Sequence, residues 1–571
     1  MQLLRKTFAG SMLTLVLIGA LTLAFNIQPV KASGTVYIRA DGSIDPPDAP
    51  ISTVDYVTYT LTGNITSDAD GIVVERSNII IDGNGYTLQG DGTGSGFSLS
   101  SINKVTIKNT NTKDFNYGVY LKSVSNNTIS GNNITANNWC GILLCDSSSN
   151  TIYGNAFFND GLSVSESYKN VVLDNSVNGK PLVYLEGASD RVVHDAGQAI
   201  LVNCNNITVE NLELPSTSIG VELWGTNNTR IARNNVTKSY CGIGLGGSSY
   251  NNTIYRNNII NNEYGIQLDG SSNNSIGGNN ITANNWCGID LCGSSYNTVS
   301  GNNITKSYWG ISFGIGLGGS SYNNTIYRNN ITNNEYGIWL CSYYKNKFYH
   351  NSFIDNTQQV HIEASGYANF WDDGYPCGGN YWSNYTGVDL YSGPNQDYPS
   401  GSDGIGDSAY IIDENNRDRY PLAAPISVFN AGTWNGVAYN VDVVSNSTLS
   451  DFYFNPDEGA FVRFWVSGET ETETFGFCRV AIPKDLLWVE DGWTVLKGSY
   501  PLSYETLSDE NYTYLYFVYQ NPYIGVKSVI SIYGTHVIPE FPSAIIQPLF
   551  IVLSIIAVFF AKKRLPRRLK P

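Results

Sequence analysis

One short phrase keeps returning between Asn126 and Phe348, and its spacing limits what this chain can fold into more than any other property. A clean copy contains Asn252-Thr253-Ile254, Asn257, Ile259, Asn262, Gly265-Ile266, Leu268 and Ser271. The aliphatic residue of its Thr-Ile step recurs at Ile129 and Ile152, then at Ile231, Ile254, Ile276, Val299 and Ile326. The steps are 23 residues from 129 to 152, 23 from 231 to 254, 22 to 276, 23 to 299 and 27 to 326. The glycine keeps the same beat at Gly118, Gly141, Gly220, Gly242, Gly265, Gly288 and Gly310, with Gly337 delayed by an insertion near 312–315. A fixed period of 22–23 residues is the mark of a stacked repeat.

Around each glycine the apolar residues alternate, as in Tyr264/Ile266/Leu268 and Cys287/Ile289/Leu291, so each piece reads as a short strand with one apolar face. Asn and Gly fill the places between, where the chain must turn. Three short strands and three turns per repeat make one coil of a parallel β-helix, each coil about 4.8 Å from the next. The predicted fold is all-β.

The two ends read differently. Residues 1–32 have the pattern of a secretory signal, with Arg5 and Lys6, the apolar run Met12–Phe25 and the cleavage phrase Val30-Lys31-Ala32. A retained membrane anchor is the alternative. Residues 544–561 are apolar enough for a transmembrane helix, and the basic residues of 562–571 predict a cytoplasmic tail. Just before them, Pro539-Glu540-Phe541-Pro542 resembles the PEF-type sorting signals of archaeal surface proteins. A net charge of −16 argues against a nucleic-acid partner.

Ser77-Asn78-Ile79-Ile80-Ile81-Asp82-Gly83-Asn84-Gly85 with Tyr86-Thr87-Leu88, the Asn-Thr-Ile and Gly-Ile-x-Leu phrases, Gly378–Tyr385 and Asp403–Asp407 carry a family resemblance. Over residues 34–422 the chain resembles the NosD-like right-handed parallel β-helix proteins, a subset of the carbohydrate-binding and sugar-hydrolase β-helices. The resemblance implies a right-handed β-helix over 34–360, of roughly a dozen coils, and an Asp-, Gly- and aromatic-rich end segment over 361–422. Its implication for activity is open, because the family name covers several roles. The beat is lost over Asp160–Leu214, which predicts extra strands or a lateral loop. Residues 426–535 have no Asn ladder but many short strand-like runs, and predict a β-sandwich.

Sugar-cleaving β-helices need paired acids or calcium on one strand face. Inside the repeats the acids are few, Glu263, Asp269, Asp290 and Glu335, and read as solvated turn residues. Asp372 and Asp373 are adjacent and so point to opposite faces. The family's copper role would need soft ligands, yet Met1 and Met12 fall in the signal, and His194, His350, His361 and His536 lack ligand spacing. His350 and His361 read as surface histidines near the last coil. Cys140, Cys241 and Cys287 share the place of Tyr117, Tyr264, Trp309 and Tyr336, which alternation puts inward, so they read as free core thiols.

Three groups remain as candidate sites. Asp389, Asp397, Asp403 and Asp407, interleaved with glycines, suit Ca²⁺, with a solvated acidic loop as the alternative. Tyr250, Tyr255, Trp286, Tyr296, Tyr322, Tyr327 and Trp339 recur outside the inferred core and form a stripe for stacking sugar rings, unless they pack over turns. Among many Asn-x-Ser/Thr sites, Asn64, Asn227, Asn384, Asn446 and Asn511 are the glycosylation candidates. Together these features predict an exported, membrane-anchored cell-surface protein that binds carbohydrate, such as an extracellular polysaccharide, or another surface component without catalysis. A polysaccharide-cleaving hydrolase or lyase and a copper-maturation factor are the alternatives. A cleft with paired carboxylates favours the enzyme, and exposed aromatic stripes favour the binder.

Overall fold

The short alternating runs leave room for strands of three to six residues and little else, as in Thr128–Ser130 and Tyr117–Lys122. The computed structural model describes residues 34–538 except 314–320, 342, 364–367, 400, 435, 469 and 471–473. The expected secretory signal, the Pro-Glu-Phe-Pro phrase and the span over 544–561 with its basic flank lie outside the described residues. Among the described residues no helix is long and apolar enough to cross a membrane. They form an all-β parallel solenoid of about 13 turns and, after it in the chain, two antiparallel sheets. By contacts the chain divides into two units, Met1–Asn252 with Ile259–Gln267 and Thr253–Asn258 with Leu268–Pro571.

In the first unit each regular coil gives one strand to each of three parallel stacks. The glycine strands Ser95–Ser100, Tyr117–Lys122, Cys140–Cys145 and Leu162–Ser165 pair in order. So do the Thr-Ile strands Val105–Lys108, Thr128–Ser130, Thr151–Tyr153 and Val171–Leu173. Equal positions meet, Ile107 beside Ile129 and Ile129 beside Ile152, all fully buried. Each such side chain stabilises the fold by roughly 1.5–3 kcal/mol relative to exposure. The corners are satisfied by asparagine ladders. Asn127 N–H donates to Asn150 Oδ1 at 3.0 Å, and Asn155 Nδ2 donates back to Ile129 O at 2.9 Å. Each rung fills backbone groups that would cost about 1–3 kcal/mol if left buried and unpaired.

The interruption over Asp160–Leu214 is made of extra strands. Ser176–Val177 turns back antiparallel onto Lys180–Glu186, and that strand starts a new parallel stack with Gln198–Val202, Ile219–Trp224 and Cys241–Gly246. The glycine strands therefore leave their first stack after Leu162–Ser165. Side chains close the edge left there. Gln198 accepts from Leu162 N–H at 3.0 Å and donates to its carbonyl at 2.7 Å. Glu222 accepts from Val164 N–H at 3.1 Å and from Ser163 Oγ at 3.0 Å. Asp160 ends one asparagine ladder by accepting from Asn137 Nδ2 at 2.7 Å. Burial pushes Glu222 up to about 8 and Asp160 up to about 7, and their hydrogen bonds offset only part of that.

In the second unit the ladder runs Asn257, Asn279, Asn302, Asn329, Asn351, Asn380. Its stack ends under aromatic plates. Trp371 lies on Phe348 at 4.3 Å, Trp382 on Phe353 at 4.4 Å, and Tyr410 on Trp382 at 4.3 Å. Asp418 terminates the ladder, accepting from Asn380 N–H at 2.7 Å and Trp382 Nε1 at 2.9 Å, and burial pushes it up to about 7. Covering the last coil removes an open strand edge. Two five-stranded antiparallel sheets follow, containing Ile426–Trp434 and Phe461–Ser467 respectively, and share a core that includes Val443, Val480, Phe517, Val462, Phe464 and Ile532.

Candidate functional site

The glycine of the Gly-Ile-x-Leu phrase decides which side chains reach the outer surface. A Cβ on Gly288 would lie 2.6 Å from Gly310 O and 2.6 Å from Ile304 Cγ2, and one on Gly310 would lie 2.6 Å from Gly337 O. Glycine therefore faces the core, and the pairing register skips it, Cys287 matching Trp309 and Ile289 matching Ile311. With both Gly288 and Ile289 turned inward, the residue before the glycine points outward, on the same face as the residue two after it. Tyr117 accordingly stacks on Tyr120 at 5.2 Å, and Tyr336 meets Trp339 at 5.1 Å.

This corrects the reading from strict alternation, which put Cys140, Cys241 and Cys287 inward with Ile and Leu. They are buried, but on the outer side, as Cys241 Sγ shows by lying 3.8 Å from where a Cβ on Gly244 would be. None of the nine cysteines is in a disulfide. The same correction exposes a feature that the sequence reading missed. In the second unit Trp286, Tyr308, Trp309, Tyr336, Trp339 and His361 form one connected outer ladder. Trp286 meets Trp309 at 5.7 Å, Tyr308 meets Tyr336 at 5.5 Å and Trp309 meets Trp339 at 5.3 Å. His361 then stacks on Trp339 at 4.1 Å and 22°. Trp286 is 47% exposed and Tyr308 41%, and the other four are half-buried. The i, i+3 spacing of aromatic residues across a glycine, as in Tyr336/Trp339, is the sequence signal that finds this face.

Of the seven aromatics predicted as one stripe, the structure brings only Trp286 and Trp339 into this ladder, through Trp309. Tyr296 and Tyr322 pack edge to face at 5.4 Å in a separate row that continues to Tyr344. Tyr327 stacks on Tyr349 at 5.3 Å. Arg256 lies over Tyr255, and Tyr250, in the first unit, is exposed. The single stripe is thus several rows, because its members come from different corners of the coil.

The acids are also sorted by the structure. Asp290 is not a solvated turn acid. It occupies the outward position two after Gly288 and is only 2% exposed, whereas Asp269 and Glu335 are exposed. Asp372 and Asp373 do turn apart, to Arg419 and Lys347 respectively. Asp389, Asp403 and Asp407 gather in the loop after the coils, and Asp397 is exposed outside that group. Asp389 accepts from Gly404 N–H at 2.8 Å, Asp407 from Leu390 N–H at 3.0 Å, and Asp403 from Ile405 N–H at 3.1 Å. Burial pushes Asp389 up to about 7. Their oxygens hold the loop's own backbone.

His350 is buried at 5% exposure, not a surface residue, while His361 belongs to the ladder. Among the described residues no group of three or more His, Cys, Asp or Glu side chains is placed to hold a metal ion. The donor set in the described residues, without methionine and with separated histidines, does not fit copper. Asn64, Asn384, Asn446 and Asn511 are exposed and Asn227 is half-exposed, and the ladder asparagines are buried.

Comparison with known proteins gives one family. The model of the family described as periplasmic copper-binding protein (NosD) matches residues 50–181, 161–329 and 312–387, together more than half of the chain. Among curated proteins, none matches the sequence. Solved structures similar to it include the periplasmic alginate epimerase AlgG, at 14% identity over 56% of this chain and 78% of that one, with TM-score 0.26. The A-module of the mannuronan C-5 epimerase AlgE6 of Azotobacter vinelandii matches at 12% over 55% and 87%, with TM-score 0.24. A tailspike protein mutant of E. coli bacteriophage HK620 matches at 10% over 84% and 85%, with TM-score 0.26.

Proposed function

The chain belongs to the NosD family, and from that premise we propose that it is a non-catalytic carbohydrate-binding protein of the cell surface whose ligand is an extracellular polysaccharide. The observation that carries this reading is the outer ladder of Trp286, Tyr308, Trp309, Tyr336, Trp339 and His361, with two exposed rings. Aromatic faces are large, rigid and amphipathic, and they stack on the apolar faces of sugar rings at little entropic cost. Coils repeat about every 4.8 Å, so the ladder offers successive faces to a linear chain of sugars. A glycan array on the secreted protein, followed by reducing-end assays on the polysaccharides that bind, tests it. The reading expects a polysaccharide bound through Trp286 and Tyr308 and no new reducing ends. New reducing ends would make the protein an enzyme, and an array with no bound glycan would remove the reading.

In the same proposal the protein is exported by residues 1–32 and held at the membrane by 544–561, or sorted through Pro539–Pro542. The apolar run at 544–561 and its basic flank support this. Deleting 544–571 then releases the protein into the medium. Retention of the shortened chain in washed membranes would place the anchor at residues 1–32 instead.

A further inference from the structure

Two corner residues that precede ladder asparagines adopt a left-handed conformation, φ 56° at Arg328 and 55° at His350. Arg328 and His350 are equivalent residues one coil apart, preceding Asn329 and Asn351, and their side chains leave the solenoid in the same direction. Both reach Asp442, a 2%-exposed residue of the strand Val437–Ser445. Arg328 Nε donates to Asp442 Oδ2 at 2.7 Å, and His350 Nδ1 lies 3.5 Å from the same oxygen. On its other side, His350 Nε2 is 3.0 Å from Cys377 O and 3.5 Å from Cys377 Sγ. The imidazole thus has the Cys377 sulfur on its Nε2 side and, on its Nδ1 side, the carboxylate that Arg328 holds, at ion-pair distance and without a hydrogen bond.

Cys377 is one of three partly exposed cysteines, with Cys145 and Cys341, and the other six are buried. Among the described residues it is the cysteine whose sulfur faces an imidazole. It lines a pocket of about 200 Å³ walled by Tyr327, Tyr349, Tyr512 and Tyr514. The charged groups around that pocket are Arg328, His350, Asp373 and Asp442, with Lys347 paired to Asp373 at its rim. Burial works to lower His350, but Cys377 and Asp442 outweigh it and raise the ring to about 10. An imidazole so placed is suited to serve a neighbouring sulfur nucleophile.

We propose that Cys377 is a reactive thiol, positioned by His350 and Asp442, that forms mixed disulfides with small anionic aromatic disulfides entering the tyrosine-walled pocket. The tyrosines supply ring contacts, Arg328 with the imidazole supplies positive charge, and the Asp373 carboxylate, which accepts from Cys377 Sγ at 3.6 Å, is offset by Lys347. In the exchange Cys377 Sγ forms a bond to one sulfur of the small disulfide, whose own S–S bond breaks. The electron pair leaves with the second sulfur, and the proton given up by Cys377 passes through His350 to that departing thiolate. One thiol and one disulfide enter, and one thiol and one mixed disulfide leave. The site is independent of the aromatic ladder.

The test uses the full chain and three probes, the anionic aromatic dithiobis-nitrobenzoate, the neutral dithiodipyridine and the cationic aliphatic cystamine. Reactions quenched at successive times and mapped by peptide mass spectrometry show which cysteine reacts. Modification of Cys377 at least about tenfold faster than Cys145 or Cys341 is expected, with the anionic aromatic probe fastest and cystamine slowest. His350→Gln, checked for native circular dichroism, should lose about tenfold or more of the Cys377 rate. Earlier modification of Cys145 or Cys341, or a reversed order of probes, overturns the proposal. So does a folded His350→Gln protein that reacts within about twofold of wild type. If His350→Gln does not fold, the wild-type map and the order of probes decide.

Discussion

The two units carry the same glycine-strand repeat and present different outer faces. In the first unit the place before the glycine holds Tyr117, Cys140, Asp160, Ile219, Cys241 and Tyr264, and the place two after it holds Tyr120, Leu143, Ser163, Glu222, Gly244 and Gln267. Its rings Tyr120, Tyr117, Trp139, Tyr240 and Tyr264 run in single file, all half-buried. In the second unit the same two places hold Trp309 and Tyr336, then Trp339 and His361, and with Trp286 and Tyr308 they form a network with exposed rings. The inward Ile, Leu and Asn residues are alike in both. The repeat thus sets the fold through inward positions and leaves two outward positions per coil free to carry function.

The largest expected effect comes from the inward set. Ile289→Asp places an unpaired charge among fully buried aliphatics and should prevent folding. Trp309→Ala, on the outer face of the adjoining coil, should keep a strand-type circular dichroism spectrum. A soluble, cooperatively folded Ile289→Asp protein would contradict the assignment of inward and outward faces.

Next in size are the devices that end each stack. Trp382→Ala removes a buried plate between Phe353 and Tyr410, and a loss of about 3–5 kcal/mol in chemical denaturation is expected. The first unit closes its interrupted edge with buried carboxylates, which makes it sensitive to pH. Glu222 titrates near 8 when folded, above its ordinary 4.5, and Asp160 near 7, above 3.8. The folded state therefore binds the extra protons in that window. Their contribution is complete below about pH 4 and is lost as pH rises through 7 to 8. Glu222→Gln, which keeps an acceptor for Val164 N–H, should raise the melting temperature at pH 9 and flatten this slope. An unchanged slope from pH 5 to 9 would remove Glu222 from this role.

The smallest effect is expected in the separate row of rings. Tyr296→Ala exchanges an exposed ring that packs on Tyr322, so stability should stay within about 0.5 kcal/mol and polysaccharide affinity should not move. A large loss of affinity would shift the binding face to that corner.

Much of the solenoid was legible because its information is local. The 22–23-residue beat and the alternation Ile266/Leu268 name the inward residues and the strands directly. The outer ladder was not, because alternation was carried through Gly265 and its equivalents, where the glycine itself turns inward and reverses the face of the residue before it. Strict alternation consequently puts Trp309 and Tyr336 in the core and gives no signal for Tyr308. The capping role of Glu222 was invisible for another reason, since it depends on the edge of Leu162–Ser165, some sixty residues away in the chain. The convergence of Arg328, His350 and Asp442 is longer-range still, set by how the antiparallel sheets dock on the last coils.

The most direct measurement is calorimetric titration of the polysaccharide selected on the array into three folded proteins: wild type, Trp286→Ala with Tyr308→Ala, and Trp139→Ala with Tyr240→Ala. Binding on the second unit's ladder predicts at least about a tenfold loss of affinity, ~1.4 kcal/mol or more, for the first pair and less than about twofold for the second. Equal affinity in wild type and the Trp286/Tyr308 double variant, or a loss confined to the Trp139/Tyr240 variant, would contradict it.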